Sequence, residues 1–287
     1  MSLNKKQFDI LEALATKGNL SQRGLAEATS QSVGNVNRLV KELSADGLVQ
    51  DRRITARGLE ALEPYRVKRA VFLAAGFGSR LLPVTLNTPK PLVRVKGKRI
   101  IDGLLDEVIS LGVEEIYIVR GYLGEQFDQL LAKYPIIQFL ENPIYNETNN
   151  ISSAMCARYL LSNCYVFEAD LILRPGLLLR YHYTSTFLGT YGERVDDWCF
   201  KVKDGFITDE LLGGYDAWRN CGVSYWNDVD GKRLSVHLKE AYEAPGGKEL
   251  FWEQVPLHVY AGSYQATAWL STEQDAIEID TYMELNR

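Results

Sequence analysis

The chain has few of the residues from which many metal and redox sites are built, with four cysteines and three histidines among its 287 residues. The cysteines form no CxxC pair and the histidines are scattered, so the sequence indicates neither a zinc site nor a histidine-based catalytic triad. Such cysteines are typical of reduced thiols in a cytoplasmic protein. Apolar runs fall well short of the roughly 20 residues that cross a bilayer, and the N-terminus lacks an apolar signal core. We therefore predict no membrane insertion.

A strong excess of charge of one sign is also missing, since the net charge is −5. Residues 1–66 carry 10 basic and 8 acidic side chains, whereas the remainder of the chain carries 22 and 29. This mild asymmetry argues against a polyanion binder overall and is typical of two domains with different partners. We predict one domain over residues 1–66 and a second over residues 67–287.

Residues 4–62 show the order helix, helix, helix, hairpin, helix. Apolar residues at helical spacing mark the first helix, and Ser21 can cap the second. A third helix over residues 32–43 precedes a short hairpin with the charged tip Asp51-Arg52-Arg53, and Pro64 ends a fourth helix. This order resembles a bacterial winged helix-turn-helix domain.

The winged-helix resemblance implies DNA binding within residues 32–55. Winged helices also serve as dimerisation or docking modules, and the net charge of residues 1–66 is low for a DNA-binding domain. A homodimer is therefore the alternative prediction. The groups expected to contact DNA are polar or basic side chains of the third helix and of the hairpin tip, namely Asn35, Asn37, Arg38, Lys41, Arg52 and Arg53.

From Lys68 onward, β-rich apolar runs alternate with helical ones. Strands and helices that alternate at this spacing predict an α/β fold with a mostly parallel sheet and helices on both faces. Several strands are apolar on both sides, as strands buried in a parallel sheet are. The runs occupy residues 70–73, 100–111, 116–119, 125–131, 136–140, 152–161 and 165–168.

The most informative stretch is Leu73-Ala74-Ala75-Gly76-Phe77-Gly78-Ser79-Arg80, which follows the first strand of this sheet. Its small residues let the backbone approach a ligand and point N–H groups at phosphate oxygens. The guanidinium of Arg80 can bind phosphate through two hydrogen bonds, and Lys90 stands between two prolines that stiffen its backbone. The GxxxxGK[ST] pattern of a Walker A loop is absent, and Leu81 occupies the third glycine position of a dinucleotide fingerprint.

The string LAAGxGxR followed by PKPL resembles the signature of a nucleotidyltransferase family. This family includes sugar-phosphate nucleotidyltransferases and bacterial CTP:phosphocholine cytidylyltransferases. The similarity runs from about Lys68 to the C-terminus, and it implies a Rossmann-like nucleotidyltransferase sheet, an NTP substrate and Mg²⁺. The residues expected to border the nucleotide are Leu73, Ala74, Ala75, Gly76, Gly78, Ser79, Gly121, Tyr122 and Asn150.

Two carboxylates far apart in sequence are candidates for the metal site. Asp170 follows an apolar strand, at the end of a parallel strand where α/β sheets bind ligands. Asp280 lies near the end of the chain, at a strand-to-helix junction where it could also cap a helix. In the resembled family one aspartate follows a central strand and a second comes late in the chain, and together they hold the metal. Glu168 and Glu278 alternate with these aspartates, so we expect them to point away.

Several segments resemble the cytidylyltransferase branch of the family, in which the acceptor is phosphocholine. They are residues 141–153, 196–198, 221–226 and 250–253. A quaternary ammonium cannot donate a strong hydrogen bond, so it is held by aromatic faces and nearby carboxylates. The predicted acceptor site consists of Trp198, Trp226 and Trp252 with Asp197 and Glu253. Each of the three tryptophans could instead pack in a core.

The resemblance implies that the acceptor phosphate attacks the α-phosphorus of the NTP and that pyrophosphate leaves. We assign the backbone groups of Gly76 and Gly78, with Arg80, to the β- and γ-phosphates. Lys90 is expected to neutralise charge near the α-phosphate, and Asp170 and Asp280 to hold Mg²⁺. Two alternatives stay open: the same chemistry on a sugar 1-phosphate or phosphoethanolamine, and a transcriptional regulator whose large domain senses a nucleotide without turning it over.

Overall fold

The computed structural model describes residues 3–286 and contains two compact units. One unit ends at Arg66, and the other begins at Val67. Within residues 3–286, no helix is both long and apolar enough to cross a membrane.

The first unit has the helix, helix, helix, hairpin, helix order that the sequence predicted. Side-chain oxygens of Asn4, Ser21, Ser32 and Thr55 cap the four helices, each accepting a hydrogen bond from the backbone N–H three residues later. The helices are α1 (Lys5–Lys17), α2 (Gln22–Ala28), α3 (Val33–Ala45) and α4 (Ala56–Leu62), and the hairpin is β1 (Val49–Gln50) with β2 (Arg53–Ile54).

The second unit is built on a seven-stranded sheet in the order β10-β12-β11-β8-β3-β6-β7. Its helices are α5 (Ile100–Ser110), α6 (Ile151–Ala157) and α7 (Asp228–Glu243). Its strands are β3 (Arg69–Leu73), β4 (Arg94–Val95), β5 (Lys98–Arg99), β6 (Glu115–Arg120), β7 (Ile137–Glu141), β8 (Cys164–Glu168), β9 (Leu171–Leu173), β10 (Thr186–Lys203), β11 (Phe206–Trp226), β12 (Thr267–Ser271) and β13 (Ala276–Glu278).

The centre of the sheet is parallel, because β3 pairs in parallel with both β6 and β8. Side chains on its two faces join different cores. Phe72 packs in a core with Leu104 of α5, whereas Val166 packs in another with Ile151 of α6 and Leu234 of α7. Helices therefore cover both faces, which confirms the predicted α/β class, and the carboxyl ends of β3, β6 and β8 meet at one edge.

A long antiparallel hairpin extends the sheet beyond the parallel strands, and the sequence analysis did not predict it. The strands β10 and β11 have 18 and 21 residues and pair with several register shifts. The base of β11 pairs with β8, from Val223 opposite Phe167 to Trp226 opposite Cys164. The hairpin thereby carries Trp198 and Glu210 to the edge at which the parallel strands end.

Candidate active site

The loop after β3 is shaped by two glycines with different roles. Gly78 has a φ of 63°, in the left-handed region, and a Cβ there would lie 2.9 Å from Cβ of Lys90. A Cβ at Gly76 would meet no atom within 4 Å, so the missing side chain at Gly76 leaves open space beside the backbone. The loop can therefore turn tightly against Lys90 while exposing its backbone to a ligand.

This loop forms one wall of a pocket of about 360 Å³, which we call the loop pocket. It is lined by 20 residues, and polar side chains from the turn before α6 face the loop. Seven of the residues predicted to border a nucleotide lie in it, as do three of the four predicted catalytic residues. These are Leu73, Ala74, Ala75, Gly76, Gly78, Ser79 and Asn150, with Arg80, Lys90 and Asp170.

The ammonium group of Lys90 joins the two predicted metal aspartates. Its Nζ lies 2.7 Å from Oδ2 of Asp170 and 2.8 Å from Oδ1 of Asp280, and Arg80 donates to Oδ2 of Asp280 at 2.7 Å. Burial alone would lower the pKa of Lys90, but the charges and hydrogen bonds of the two aspartates outweigh it and raise that pKa. The four side chains thus form one connected charge network beside the loop.

Backbone pairing explains how aspartates so distant in sequence come together. Strand β13 runs antiparallel to β9, with Glu278 opposite Leu171. Directly beyond this pair, the N–H of Ile279 donates to the carbonyl of Asp170 at 3.1 Å. Asp280 follows at once, and its side chain bonds to cations instead of capping the short 3₁₀ helix Tyr282–Asn286.

The expectation that Glu168 and Glu278 point away is wrong, because both line the loop pocket. Side chains alternate only while a strand continues, and β8 ends at Glu168 while β13 ends at Glu278. Glu168, Asp170 and Glu278 each offer a carboxylate oxygen, and these oxygens lie within 4.8 Å of one another. Oδ1 of Asp170 is buried and has no hydrogen-bond partner among the described residues. Such a set of hard oxygen ligands fits a divalent cation.

Crowding of carboxylates perturbs their protonation. Burial, followed by the charges of Asp170, Asp280 and Glu168, raises the pKa of Glu278 to about 8. Burial and the charge of the neighbouring Glu253 hold the pKa of Glu168 well above its usual range, and burial raises the pKa of Glu253 to about 7. The site without ligands therefore carries less negative charge than its number of carboxylates suggests.

A second pocket of about 280 Å³ adjoins the loop pocket and shares four of its lining residues, Arg80, Glu168, Phe251 and Glu278. We call it the acidic pocket, since its wall contains five carboxylates and one basic side chain. It contains three of the residues predicted to bind the acceptor, namely Trp198, Asp197 and Glu253. The other lining residues are Glu210, Asn220 and Gly222.

The prediction that Trp226 and Trp252 bind the acceptor is not supported. Their exposed fractions are 0% and 2%, and neither lines the loop pocket or the acidic pocket. The two indole rings pack against each other, 6.3 Å between centroids, within the core that contains Phe187. Trp198 is different, because its ring lies 5.5 Å from that of Phe251 at the pocket wall.

Gly121 and Tyr122 also differ from expectation, since neither lines the loop pocket. A Cβ at Gly121 would lie 2.7 Å from the ring of Tyr145, and that ring is part of the wall. Tyr122 donates its N–H to the carbonyl of Ala75 and its O–H to that of Thr85. It therefore holds the loop in place through hydrogen bonds without lining the pocket. Asn150 occupies the N-cap position of α6, but its side chain makes no capping hydrogen bond. Its amide instead donates to Glu168 and accepts the N–H of Trp252.

Sequence reasoning missed Glu210 and Phe251 as pocket residues. Phe251 lies in the segment 250–253, from which the sequence analysis assigned the neighbouring Trp252 to the acceptor site instead. Glu210 had no sequence signal, because the hairpin that carries it was not predicted. Its position depends on pairing between β10 and β11, in which Phe200 lies opposite Glu210.

The site combines a glycine loop after the first parallel strand with paired cations and carboxylates at the edge of the sheet. This combination is typical of α/β enzymes that bind nucleotide phosphates. Comparison with known protein families gives a match in each of the two units. Residues 69–187 match the nucleotidyl transferase family model, and residues 3–50 match that of winged helix-turn-helix DNA-binding domains. 

Among known relatives, the 2-aminoethylphosphonate cytidylyltransferase of Lancefieldella rimae is 34% identical over 221 residues, covering 75% of this chain and 89% of the relative. The choline-phosphate cytidylyltransferase of Streptococcus pneumoniae is 32% identical over 189 residues, covering 65% and 82%. The solved structure of the CTP:phosphocholine cytidylyltransferase from Streptococcus pneumoniae superposes with a TM-score of 0.70 at 28% identity, covering 76% of this chain and 96% of that one. The chain belongs to the nucleotidyltransferase family, in its cytidylyltransferase branch.

Proposed function

We propose that the protein transfers CMP from CTP to a small acceptor with a phosphate or phosphonate at one end and an ammonium group at the other, releasing pyrophosphate. Phosphocholine, the acceptor predicted from sequence, is one member of this class. The observation that carries the proposal is the adjacency of the two pockets. The loop pocket has a glycine loop with Arg80 and Lys90, and the acidic pocket next to it has carboxylates suited to a cation.

The reaction needs little acid–base chemistry from the protein. An acceptor phosphate has a second pKa near 6, so it is largely ionised at neutral pH and can attack the α-phosphorus without a general base. The new P–O bond forms as the bond to pyrophosphate breaks. Catalysis then depends on alignment of the reactants and on neutralisation of their charge.

The charged side chains have separate tasks in this proposal. Backbone groups of Gly76 and Gly78, with the exposed guanidinium of Arg80, bind the β- and γ-phosphates. Lys90 offsets charge on the α-phosphate and on the acceptor phosphate that approaches it. Because Lys90 already lies between Asp170 and Asp280, its ammonium is held in place at the wall of the loop pocket.

Mg²⁺ fits the carboxylates present. Asp170 and Asp280 would hold it, as predicted from sequence, with Glu278 as a third candidate because its oxygen lies in the same cluster as that of Asp170. When bound, the cation supplies positive charge that offsets the negative charge of the phosphates. The buried Oδ1 of Asp170, which has no hydrogen-bond partner among the described residues, supports this assignment.

Relatives support both the donor and the acceptor class. The relatives named above are cytidylyltransferases, and 2-aminoethylphosphonate and phosphocholine both combine an anionic phosphorus group with a cationic nitrogen. The acidic pocket supports an acceptor of the same kind, because an ammonium group can offset its carboxylates.

The test is pyrophosphate release with MgCl₂, each of the four NTPs, and phosphocholine, phosphoethanolamine, 2-aminoethylphosphonate and glucose 1-phosphate as acceptors. We expect turnover with CTP and at least one ammonium-bearing acceptor, and a loss of turnover in Asp170→Asn and Asp280→Asn. Asp228→Asn is the matched control, because this carboxylate pairs with Lys232 on the exposed side of α7. Turnover of glucose 1-phosphate alone would refute the acceptor class. CTP binding without any turnover would instead support the sensor alternative.

We also propose that residues 1–66 form a DNA-binding winged helix and residues 67–287 the transferase domain. The match of residues 3–50 to the DNA-binding family model supports this division. Arg52 and Arg53 are exposed at the hairpin tip, as is Lys41 on α3, whereas Arg38 is paired with Glu42.

The DNA proposal is tested by fluorescence anisotropy of the full chain with a random-sequence duplex library. We expect binding that weakens with salt and that is reduced in Arg52→Ala/Arg53→Ala but not in Lys17→Ala. If the double variant binds as tightly as the unaltered chain, the hairpin tip is not a DNA contact. Sedimentation of the same samples distinguishes DNA binding from the dimerisation alternative.

A further inference from the structure

One carboxylate oxygen in the wall of the acidic pocket accepts no hydrogen bond from the described residues around it. Oε2 of Glu210 is buried and has no hydrogen-bond partner among the described residues. Glu210 stands on β11, faces Phe200 across the hairpin, and lines the same wall as Glu253, whose exposed fraction is 6%. Buried polar atoms are normally paired, so an oxygen left open at a pocket wall indicates that a donor comes from the ligand.

Aromatic surface at this wall is limited. Of the three tryptophans expected to surround a quaternary ammonium, only Trp198 reaches the pocket, and Phe251 is the one other aromatic ring that residues 3–286 contribute to its wall. The two rings are tilted by 59° to each other. Recognition of quaternary ammonium groups relies on cages of aromatic faces. This wall instead contains two rings and five carboxylates.

We propose that the acceptor carries a primary ammonium group and that Glu210 is the residue that selects it over a quaternary one. This inference rests on the proposed function and makes its acceptor class narrower. A primary ammonium has three N–H donors, and one of them can pair with Oε2 of Glu210. Each N-methyl group removes one donor, and a trimethylammonium leaves the oxygen unpaired while covering it with methyl groups.

The expected discrimination between the two acceptors is large because losing a hydrogen-bond donor costs a buried site more than gaining one contributes. A site built to accept a hydrogen bond from its substrate discriminates strongly against an analogue without the donor, because the buried acceptor is then left without a partner. Because the N-methyl and N,N-dimethyl acceptors still carry an N–H donor, we expect the largest fall in kcat/KM at the last methylation step, which removes the last donor. The total decrease from the primary to the quaternary acceptor should be at least about 100-fold.

The experiment measures kcat/KM by pyrophosphate release with CTP and two acceptor series. One series is phosphoethanolamine with its N-methyl, N,N-dimethyl and N,N,N-trimethyl forms, the last being phosphocholine. The other is 2-aminoethylphosphonate with its N,N,N-trimethyl analogue. A decrease that is largest at the last methylation step supports the inference. An equal or higher value for the quaternary members overturns it while leaving the proposed function intact. No turnover in either series overturns both.

Variants of Glu210 test whether this residue is the selector. Glu210→Gln and Glu210→Ala should reduce the preference for the primary over the quaternary acceptor by about 10-fold or more, with the KM for CTP unchanged. Glu193→Gln is the matched control, because Glu193 is an exposed carboxylate on the other strand of the same hairpin. A purely structural role would lower activity with all acceptors alike, so an unchanged preference in both variants overturns the assignment.

Discussion

Nζ of Lys90 lies 2.7 Å from Oδ2 of Asp170, although the two residues are 80 positions apart in the chain. Lys90 belongs to the PKPL segment after the glycine loop, whereas Asp170 follows the central strand β8. The bond therefore joins the segment after the glycine loop to the end of the central strand. The contributions of its cation and its anion to activity can be tested by separate substitutions.

Replacement of Lys90 by alanine should lower kcat by about 10²–10³-fold, because in the proposed mechanism this buried cation neutralises phosphate charge. Asp170 would then lose its cation and Asp280 would keep only Arg80, so MgCl₂ should raise the Tm of Lys90→Ala more than that of the unaltered protein. Initial rates and differential scanning fluorimetry measure the two effects. Lys232→Ala, which removes an exposed cation paired within α7, should change neither. Turnover at the original rate would remove Lys90 from the mechanism.

Two tryptophan substitutions should have opposite consequences. Trp252→Ala creates a cavity beside Trp226 and Phe187, so it should lower the free energy of unfolding by about 3–5 kcal/mol. Trp198→Ala should leave unfolding nearly unchanged and raise the KM for the acceptor, because this ring lies at the pocket wall. Urea denaturation and acceptor titration separate the two outcomes. An acceptor-specific defect in a stably folded Trp252→Ala would contradict its placement in the core.

The helices of the first unit and the parallel part of the sheet were predictable from the sequence because they depend on local patterns, whereas the hairpin of β10 and β11 was not predicted. Apolar periodicity marked the helices of the first unit and the parallel strands of the second, and the glycine loop was recognisable as a linear motif. Burial of Trp252 could not be predicted, since an aromatic residue beside an acid looks the same in a core and in a pocket. Trp226 has no acidic neighbour, and its packing in a core was the open alternative. The inward orientation of Glu168 and Glu278 was missed because strand ends, where alternation stops, are poorly marked in sequence.

The two glycines of the loop should also respond differently to alanine. Gly78→Ala places a Cβ in a left-handed residue and against Lys90, so it should cost about 1–2 kcal/mol of stability and reduce kcat. Gly76→Ala meets no protein atom, so stability should be retained while the KM for CTP rises as the methyl group enters ligand space. Thermal unfolding and CTP titration measure both. A stable, fully active Gly78→Ala would show that the close approach to Lys90 is dispensable.

Protonation of Glu210 should make stability depend on pH. Burial raises the pKa of Glu210 from 4.5 to about 7, so between these values the folded protein holds a proton that the unfolded chain releases. Stability contributed by this group is therefore present at low pH and lost as pH rises towards 7. Glu210→Gln removes the titration, so its free energy of unfolding should fall less between pH 5 and pH 8 than that of the unaltered protein. Urea denaturation at both pH values measures the difference, and parallel slopes would argue against the raised pKa.

The pairing of β9 with β13 has a consequence for how freely this sequence can diverge. The contact that brings Asp170 beside Asp280 is made by main-chain groups, and Ile277, which pairs with Ile172 on the same two strands, is nearly half exposed. Position 277 can therefore accept most side chains, proline being the exception, without moving either aspartate. Although Leu171 and Ala276 are buried in the core, homologous enzymes could differ freely at position 277 and still hold the two carboxylates in the same register.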